Sequence, residues 1–419
     1  MTRTDTPARP VPPAPPGPST ADLAPGPGPV ETTGRVKQPL SVWVLAFAAM
    51  VSFMGIGLVD PILKSIAENL NATASDVSLL FTSYLLVTAV AMLITSFASA
   101  RLGGRLTLIL GLGVIIVFAC LAGTSSSVAE LVGWRAGWGL GNALFIATAL
   151  AAIVAVAKGG PERAITLYEA ALGVGLSIGP LVGAVLGGVN WRWPFFGVGI
   201  LMSVALLAIV LFLKDRVTVP HRIRPADPIR ALGHGGLLVT GIAALLYNGG
   251  FFAVLAFVPF VVPFGGYGIG FLFFGWGVLL GICAVWVAPR LHLRFGLPRT
   301  FALAMGTFTV LLALIALFVH TPAAVCVLVI ACGAPLGVLN TVFTETAMNI
   351  SPVPRPVASA GYNFVRFLGG AISPFVCGKL GENVSVAAPF WFGAICVAAG
   401  LAVLLGFGRR SLRAIERTH

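Results

Sequence analysis

Long stretches of apolar residues, separated by short segments with charged or turn-forming residues, fill the chain from residue 41 onward. Each stretch is about twenty residues long, which is the length at which an α-helix crosses the hydrocarbon core of a bilayer. A transmembrane strand would instead alternate apolar and polar residues over about ten positions. The pattern therefore predicts an all-α polytopic membrane protein, with spans near 41–62, 77–99, 106–126, 129–157, 164–188, 193–213, 235–262, 267–289, 300–319, 323–347, 357–379 and 386–408.

The composition agrees with this pattern. Of the 419 residues, 58% are hydrophobic and 10% are charged, and the mean hydropathy is +0.98. Soluble domains carry roughly a quarter of their residues as charged side chains. A surface so poor in charge requires lipid as its solvent, and helices satisfy every backbone donor and acceptor there. A water-soluble globular fold is therefore excluded.

The predicted domain organisation starts with a different kind of segment. Residues 1–38 are rich in proline and small residues and contain no apolar run, which predicts a disordered cytoplasmic tail. A six-helix bundle is expected over 39–213 and a second one over 235–408. A basic cytoplasmic linker, 214–234, joins them, and a cytoplasmic tail, 409–419, ends the chain.

The distribution of lysine and arginine predicts the orientation in the membrane. If both termini are cytoplasmic, 21 of the 26 basic residues lie on the cytoplasmic side, where basic residues of short loops are retained. The opposite face keeps only Lys64, Arg192 and Lys379. A multi-pass protein of the inner (plasma) membrane is expected. The net charge of +12 is then a topology signal and an attraction to anionic lipid, so no nucleic-acid partner is expected.

An internal repeat relates the two halves of the chain. The segment that starts at Tyr168 aligns without gaps on the segment that starts at Tyr362, at an offset of 194 residues. A second pair, RLGGR from Arg101 and RFGLPR from Arg294, recurs at nearly the same offset. Two matches at one offset favour duplication over chance. Two repeated halves predict a substrate site at their interface near the bilayer midplane.

A glycine turn between cations follows span two and recurs after span eight. Cations beside a tight turn can dock on helix C-termini and acidic lipid and so latch one conformation. The alternative is that these basic residues only set the topology. The candidate residues of the two gating loops are Arg101, Gly103, Arg105, Arg294, Gly296 and Arg299.

Span four carries a charge inside an apolar helix. Arg135, Gly139 and Asn142 stand at positions i, i+4 and i+7 and so share one face. A charge within a span is costly unless it meets a cavity or an opposite charge. Arg135 is therefore expected to face a central lumen, although a structural ion pair would explain it as well.

Span five carries a stripe of glycines. Gly175, Gly179 and Gly183 are four residues apart, which allows a neighbouring helix to approach closely. Pro180 removes a helical hydrogen bond and permits a bend. Helix packing alone is the alternative explanation for the stripe.

Four further charges within or at the ends of spans are candidates for proton coupling and substrate binding. Removal from water makes a carboxyl group harder to ionise, so it can bind and release a proton near neutral pH. A cationic substrate and a proton that compete for one carboxylate would expel each other. Asp60 is ranked first and Glu169 second, and Arg366 is the second buried base. Glu345 lies near the membrane surface and could equally be a solvated group.

These motifs resemble those of the major facilitator superfamily, and the resemblance covers everything after the tail. The family implies two six-helix bundles related by pseudo-two-fold symmetry. Its members carry a matching arginine tied to proton coupling in span four, and the Gly-Pro pattern in span five is typical of its exporting antiporters. The sequence departs from the family pattern at Ser96, Ala98, Lys64 and Ala184, and most seriously at Ala100, where an aspartate is expected.

The resemblance implies a proton-coupled exporter of small amphipathic or cationic compounds, similar to bacterial drug:proton antiporters. Phe81, Tyr84, Tyr247, Phe251, Phe252 and Trp276 are candidates for aromatic walls of its site. The alternatives are an exporter or importer of a single metabolite, such as a sugar or siderophore, and a membrane sensor that does not transport. The expected partners are a small-molecule substrate, protons and the lipid bilayer, and a monomer is expected.

Enzymatic activity is not expected. The chain has no GxxxxGK[ST] segment and no nucleophile–base arrangement, and its five histidines lie outside the spans. The six cysteines lie in apolar segments without CxxC spacing, which predicts free thiols. No metal and no cofactor are therefore expected.

Overall fold

The computed structural model describes residues 38–213 and 224–408. Every regular element in these two ranges is a helix, so the predicted all-α fold is confirmed. Both predicted tails lie outside the described residues, 1–38 except for residue 38 and 409–419 entirely. Residues 214–223 of the predicted linker, 214–234, lie outside them as well. From Gln38 onward the helices pack as one compact unit, so the bounds of the two bundles stay predictions.

The helices follow one another with short connections. The first half contains α1 (Leu40–Gly57), α2 (Leu63–Asn69), α3 (Ala74–Leu102), α4 (Gly104–Gly123), α5 (Val128–Val156), α6 (Pro161–Val189) and α7 (Trp193–Phe212). The second half contains α8 (Asp227–Ala231), α9 (Gly235–Val261), α10 (Gly266–Ile282), α11 (Ala288–Phe295), α12 (Leu297–Leu317), α13 (Pro322–Asn349), α14 (Arg355–Asn383) and α15 (Ala388–Phe407). A 3-10 turn (Asp60–Ile62) joins α1 to α2, and a π-helical turn (Cys283–Val287) joins α10 to α11.

Eleven helical segments of the described chain are long and apolar enough to cross a membrane. The pairs α1–α2 and α10–α11 each count as one such segment. The remaining long helix, α14, has 29 residues but is more polar, since it carries Arg366, Lys379 and Glu382. A helix of that length can span a bilayer, and its polar residues must then meet protein rather than lipid.

The equivalent turns after α3 and α11 have the same structure. Gly103 has a φ of 82° and Gly296 has a φ of 75°, values that residues with a Cβ rarely adopt. The hydroxyl of Thr107 donates to the Gly103 carbonyl at 2.9 Å, and that of Thr300 donates to the Gly296 carbonyl at 2.7 Å. The tight glycine turns predicted from the sequence are therefore present in both halves.

The glycine stripe of α6 faces α1. A Cβ at Gly175 would clash with the carbonyl oxygen of Met50, and a Cβ at Gly183 would clash with that of Leu58. The missing side chains thus allow the two backbones to touch, as the spacing predicts.

The repeat is visible in this packing. Gly369 of α14 is equivalent to Gly175, and a Cβ there would clash with the Leu245 carbonyl oxygen of α9. One turn later, Ser373 stands where the first half has Gly179, and its hydroxyl donates to the Gly249 carbonyl at 2.6 Å. Helix α14 therefore packs on α9 as α6 packs on α1.

Two pairs of helices form the main contacts between the halves, α3 with α14 and α6 with α10. The repeat makes α3 equivalent to α10, and α6 equivalent to α14. Exchanging the halves therefore turns the first pair into the second. This exchange is the relation expected of a pseudo-two-fold axis between the halves.

Side chains also join the halves at the face opposite to Gly103 and Gly296, which we call the opposite face. The carboxylate of Glu382, at the end of α14, accepts hydrogen bonds from the Ser75 N–H at 2.8 Å and the Ser75 hydroxyl at 3.0 Å. It thereby caps the N-terminus of α3. Nearby, Lys64 donates to the Val262 carbonyl at 2.7 Å.

Replacing Glu382 with glutamine is expected to loosen the opposite face. The neutral amide loses the charge-assisted bonds to the α3 N-terminus, at a cost of about 0.5–2 kcal/mol. Spin labels are placed at Asn190 and Val386 on a cysteine-free background. The distribution of distances between the two labels should contain a larger long-distance fraction in Glu382→Gln than in the wild type. Glu130→Gln is the control, because Glu130 caps its own helix through Ser126. An unchanged distance distribution in Glu382→Gln would contradict a role for this contact in closing the face.

Candidate functional site

A cavity between the two halves encloses about 760 Å³ of empty space, counted with its opening. Most of its wall is apolar or aromatic, with a few amides, one acid and one base. The lining residues are Phe53, Ile56, Met92, Ile146, Ala147, Leu150, Tyr168, Glu169, Leu172, Leu176, Asn248, Phe251, Phe252, Asn340, Thr344, Met348, Ser359, Asn363, Arg366 and Phe367.

Arg366 is the cation of this cavity, and several contacts hold it in place. Its guanidinium donates to the side-chain oxygen of Asn340, which also accepts a hydrogen bond from the Tyr247 hydroxyl at 3.1 Å. The guanidinium carbon lies 5.8 Å from the centre of the Tyr247 ring. The amide of Asn248 donates to the Arg366 backbone carbonyl at 3.0 Å. The guanidinium is therefore held by side chains of α9 and α13.

Glu169 is the acid of this cavity. It lies on α6, in the other half of the protein, and is only 5% exposed. Its Oε2 atom is buried and has no hydrogen-bond partner among the described residues. Glu169 and Arg366 are close enough to interact electrostatically. The cavity therefore places two opposite charges on opposite halves, and Glu169 retains an open acceptor.

Asp60 is buried elsewhere. It occupies the 3-10 turn between α1 and α2 and is 0% exposed, and neither of its carboxylate oxygens has a hydrogen-bond partner in the described chain. Arg135 is close enough to interact with it electrostatically. A buried carboxylate without hydrogen bonds is costly, so Arg135 is the group of the described chain that can compensate its charge.

Arg135 lies in the same buried region. Its guanidinium carbon is 4.5 Å from the centre of the Tyr84 ring and 4.6 Å from that of Trp138. One of its nitrogens donates to the Gly55 carbonyl at 3.4 Å. Two aromatic faces therefore stabilise the cation without a salt bridge. The expectation that Arg135 faces the central chamber needs correction, because these rings enclose it within the first half.

Glu345 lies outside the cavity wall. Its carboxylate pairs with His292 of α11 at 3.6 Å, and its side chain is 48% exposed. Of the five candidate charges, the structure therefore brings Glu169 and Arg366 together in the cavity and Asp60 and Arg135 together outside its wall. Glu345 does not line the cavity, but it is close enough to Glu169 to interact with it electrostatically.

Comparison with known proteins agrees with this architecture. The family model of the Major Facilitator Superfamily matches residues 45–374. The chain belongs to this superfamily. A multidrug efflux protein of Bacillus subtilis, YfmO, is 48% identical over 389 residues, which cover 93% of this chain and 98% of that protein. Multidrug resistance protein 1 of the same organism is 22% identical and covers 88% of this chain and 97% of its own.

A solved structure supports the same fold. The human organic anion transporter MFSD10 (TETRAN) superposes with a TM-score of 0.69 at 17% sequence identity. The match covers 87% of this chain and 99% of that chain. The family match and the eleven segments of the described chain that are long and apolar enough to span a membrane identify a multi-pass membrane protein of a transporter superfamily, as the sequence predicts.

The predicted gating loops of this superfamily member occupy equivalent places but make different contacts. Arg105 donates to the Val210 carbonyl at 2.8 Å and so docks on the C-terminal end of α7. Arg101 is exposed and lies over its neighbour Phe97, at 5.1 Å from the ring centre. In the second half, Arg294 lies over Phe295, at 5.3 Å from the ring centre, and the side chain of Arg299 is exposed. A latching role for these loops stays a prediction.

Several residues of the site were not predicted from the sequence. Asn248 and Asn340 hold Arg366, while Trp138 completes the aromatic enclosure of Arg135. An amide within an apolar span is costly unless it is hydrogen-bonded, so Asn248 and Asn340 carried a usable signal. Trp138 carried none, because tryptophan is common in apolar spans. Phe251 and Phe252 do line the cavity, as predicted.

Proposed function

We propose that the protein is a proton-coupled exporter of small amphipathic or cationic compounds, of the multidrug type. The observation that carries this proposal is the aromatic-walled cavity between the halves, with the open acceptor of Glu169 in its wall. The 48% identity to a multidrug efflux protein over nearly the whole chain supports it. The glycine stripe and Pro180 of α6, which resemble the pattern of exporting antiporters, support the direction of transport.

Proton coupling requires an acid whose charge depends on what occupies the site. An ammonium group that enters the cavity would pair with ionised Glu169, and a proton would displace it. Substrate and proton then exclude each other at this oxygen. Asp60, which is fully buried beside Arg135, is the acid proposed to carry the coupling proton from one face to the other.

The proposed location is the inner membrane, with both termini cytoplasmic. Basic residues cluster at the face of Gly103 and Gly296, as cytoplasmic loops do. The opposite face, which Glu382 helps to close, would then point outward. Export proceeds when the cavity loads from the basic face and opens at the opposite face.

Everted vesicles test this proposal directly. With a pre-set pH gradient, addition of a cationic aromatic dye, such as a rhodamine methyl ester, is expected to collapse part of the gradient. Vesicles without the protein provide the baseline. A gradient that stays unchanged while the dye accumulates would overturn proton coupling, and absence of dye accumulation would overturn export of such compounds. A response to one metabolite alone would favour a dedicated transporter.

A further inference from the structure

Arg366 and the ionised form of Glu169 place charges of opposite sign in the same cavity, and this arrangement restricts the ligand. A substrate that carries only a positive charge can pair with Glu169 but must also approach Arg366. A substrate that carries only a negative charge has the opposite problem. Each buried charge that is left without a partner costs more than the partnered one gains.

The cation of the cavity cannot easily move away from a ligand. The Arg366 guanidinium is held by Asn340 and Tyr247, and its Nε atom is buried without a hydrogen-bond partner in the described part of the chain. A guanidinium fixed in this way is prearranged to bind a carboxylate. Glu169, across the cavity, has the open Oε2 acceptor that an ammonium or amidinium group requires.

The aromatic part of the cavity wall favours a flat apolar scaffold. Phe251 and Phe252 lie with their ring centres 4.9 Å apart, and Phe53 lies 5.5 Å from Tyr168. Rings of this kind accept aromatic ligands in stacked or edge-to-face contact.

We infer that the preferred substrates are aromatic zwitterions, whose carboxylate binds Arg366 while their cationic group binds Glu169. The inference rests on the proposed export function and names the substrate class of the same cavity. A zwitterion satisfies both buried charges and brings no net charge of its own into the membrane interior. Arg366 is then a specificity-determining residue, and Glu169 serves both the substrate and the proton.

A matched pair of dyes tests the inference. A rhodamine with a free benzoate is a zwitterion, and its methyl ester is a cation on the same scaffold. Fluorescence anisotropy with the purified full-length protein should show that the free acid binds about tenfold more tightly than the ester, the gain expected from one charge-assisted contact. Equal affinities of the wild-type protein for the two dyes, or tighter binding of the ester, would overturn the inference.

Two variants assign the preference to its residues. In Arg366→Gln the ratio of the two affinities should fall to about one, whereas Arg366→Lys should keep part of the preference. Arg290→Gln, an exposed site outside the cavity, should keep the full ratio. If Arg366→Gln keeps the full ratio, the inference fails. Should the ester drive proton exchange in vesicles while no preference for the acid exists, the proposed function stands and only the substrate class is wrong.

Discussion

Replacing Gly175 with alanine is expected to destabilise the protein strongly for so small a change. The added methyl group would meet the Met50 carbonyl oxygen and the first atoms of Phe53, which belong to backbone and packed core rather than to a flexible chain end. Helix α6 must then move away from α1, at a cost of about 1–3 kcal/mol. Thermal unfolding of the purified protein should show a lower midpoint than the wild type.

The control for this prediction is Gly306→Ala. Gly306 also lies inside a long apolar helix, α12, but nothing lies within 4 Å of a Cβ placed there. Alanine should therefore be neutral or slightly stabilising at this position, by up to about 1 kcal/mol of helix propensity. The repeat adds a second check, because Gly369→Ala should behave like Gly175→Ala. Equal midpoints for Gly175→Ala and Gly306→Ala would contradict the close packing of α6 on α1.

The helices and their duplication could be predicted from the sequence because both depend on local patterns. Apolar runs of bilayer length define the spans, and the offset between Tyr168 and Tyr362 defines the repeat. The spacing of Gly175, Gly179 and Gly183 predicts that a helix packs closely on this face, but the identity of that helix, α1, comes from the structure. The least apolar of the long helices, α14, was recognisable from its apolar run and from the repeat that aligns it with α6.

The grouping of the buried charges could not be predicted, because it depends on which faces of different helices meet. Spacing placed Arg135 on a face with Gly139 but could not show that Tyr84 and Trp138 enclose it. Likewise, Glu382 stood at the end of a span and gave no sign that it caps α3 of the other half. Such pairings are long-range, and each requires the packed structure.

Replacing Asp60 with asparagine is expected to abolish proton exchange while leaving the protein folded. Asp60 lies in the turn after α1, and this turn contacts the second half of the protein. A Cβ on Gly266 of α10 would lie 3.3 Å from the Pro61 carbonyl oxygen, and Lys64 donates to the Val262 carbonyl. An ionised carboxylate here would require water or Arg135, so a change in its charge favours a different arrangement of this junction. Asparagine has nearly the same shape as the neutral acid and cannot ionise.

Everted vesicles that contain Asp60→Asn should therefore keep their pH gradient when the dye is added, although dye binding to the purified protein persists through Glu169. The matched control is Glu68→Gln, which removes an exposed carboxylate two turns further along the same span and should exchange protons like the wild type. Thermal unfolding near the wild-type midpoint would establish that the loss is one of coupling, because the asparagine side chain then sits in an intact fold. If Asp60→Asn instead collapses the gradient as the wild type does, the coupling proton resides on Glu169, since it is the remaining fully enclosed acid with an open oxygen in the described chain.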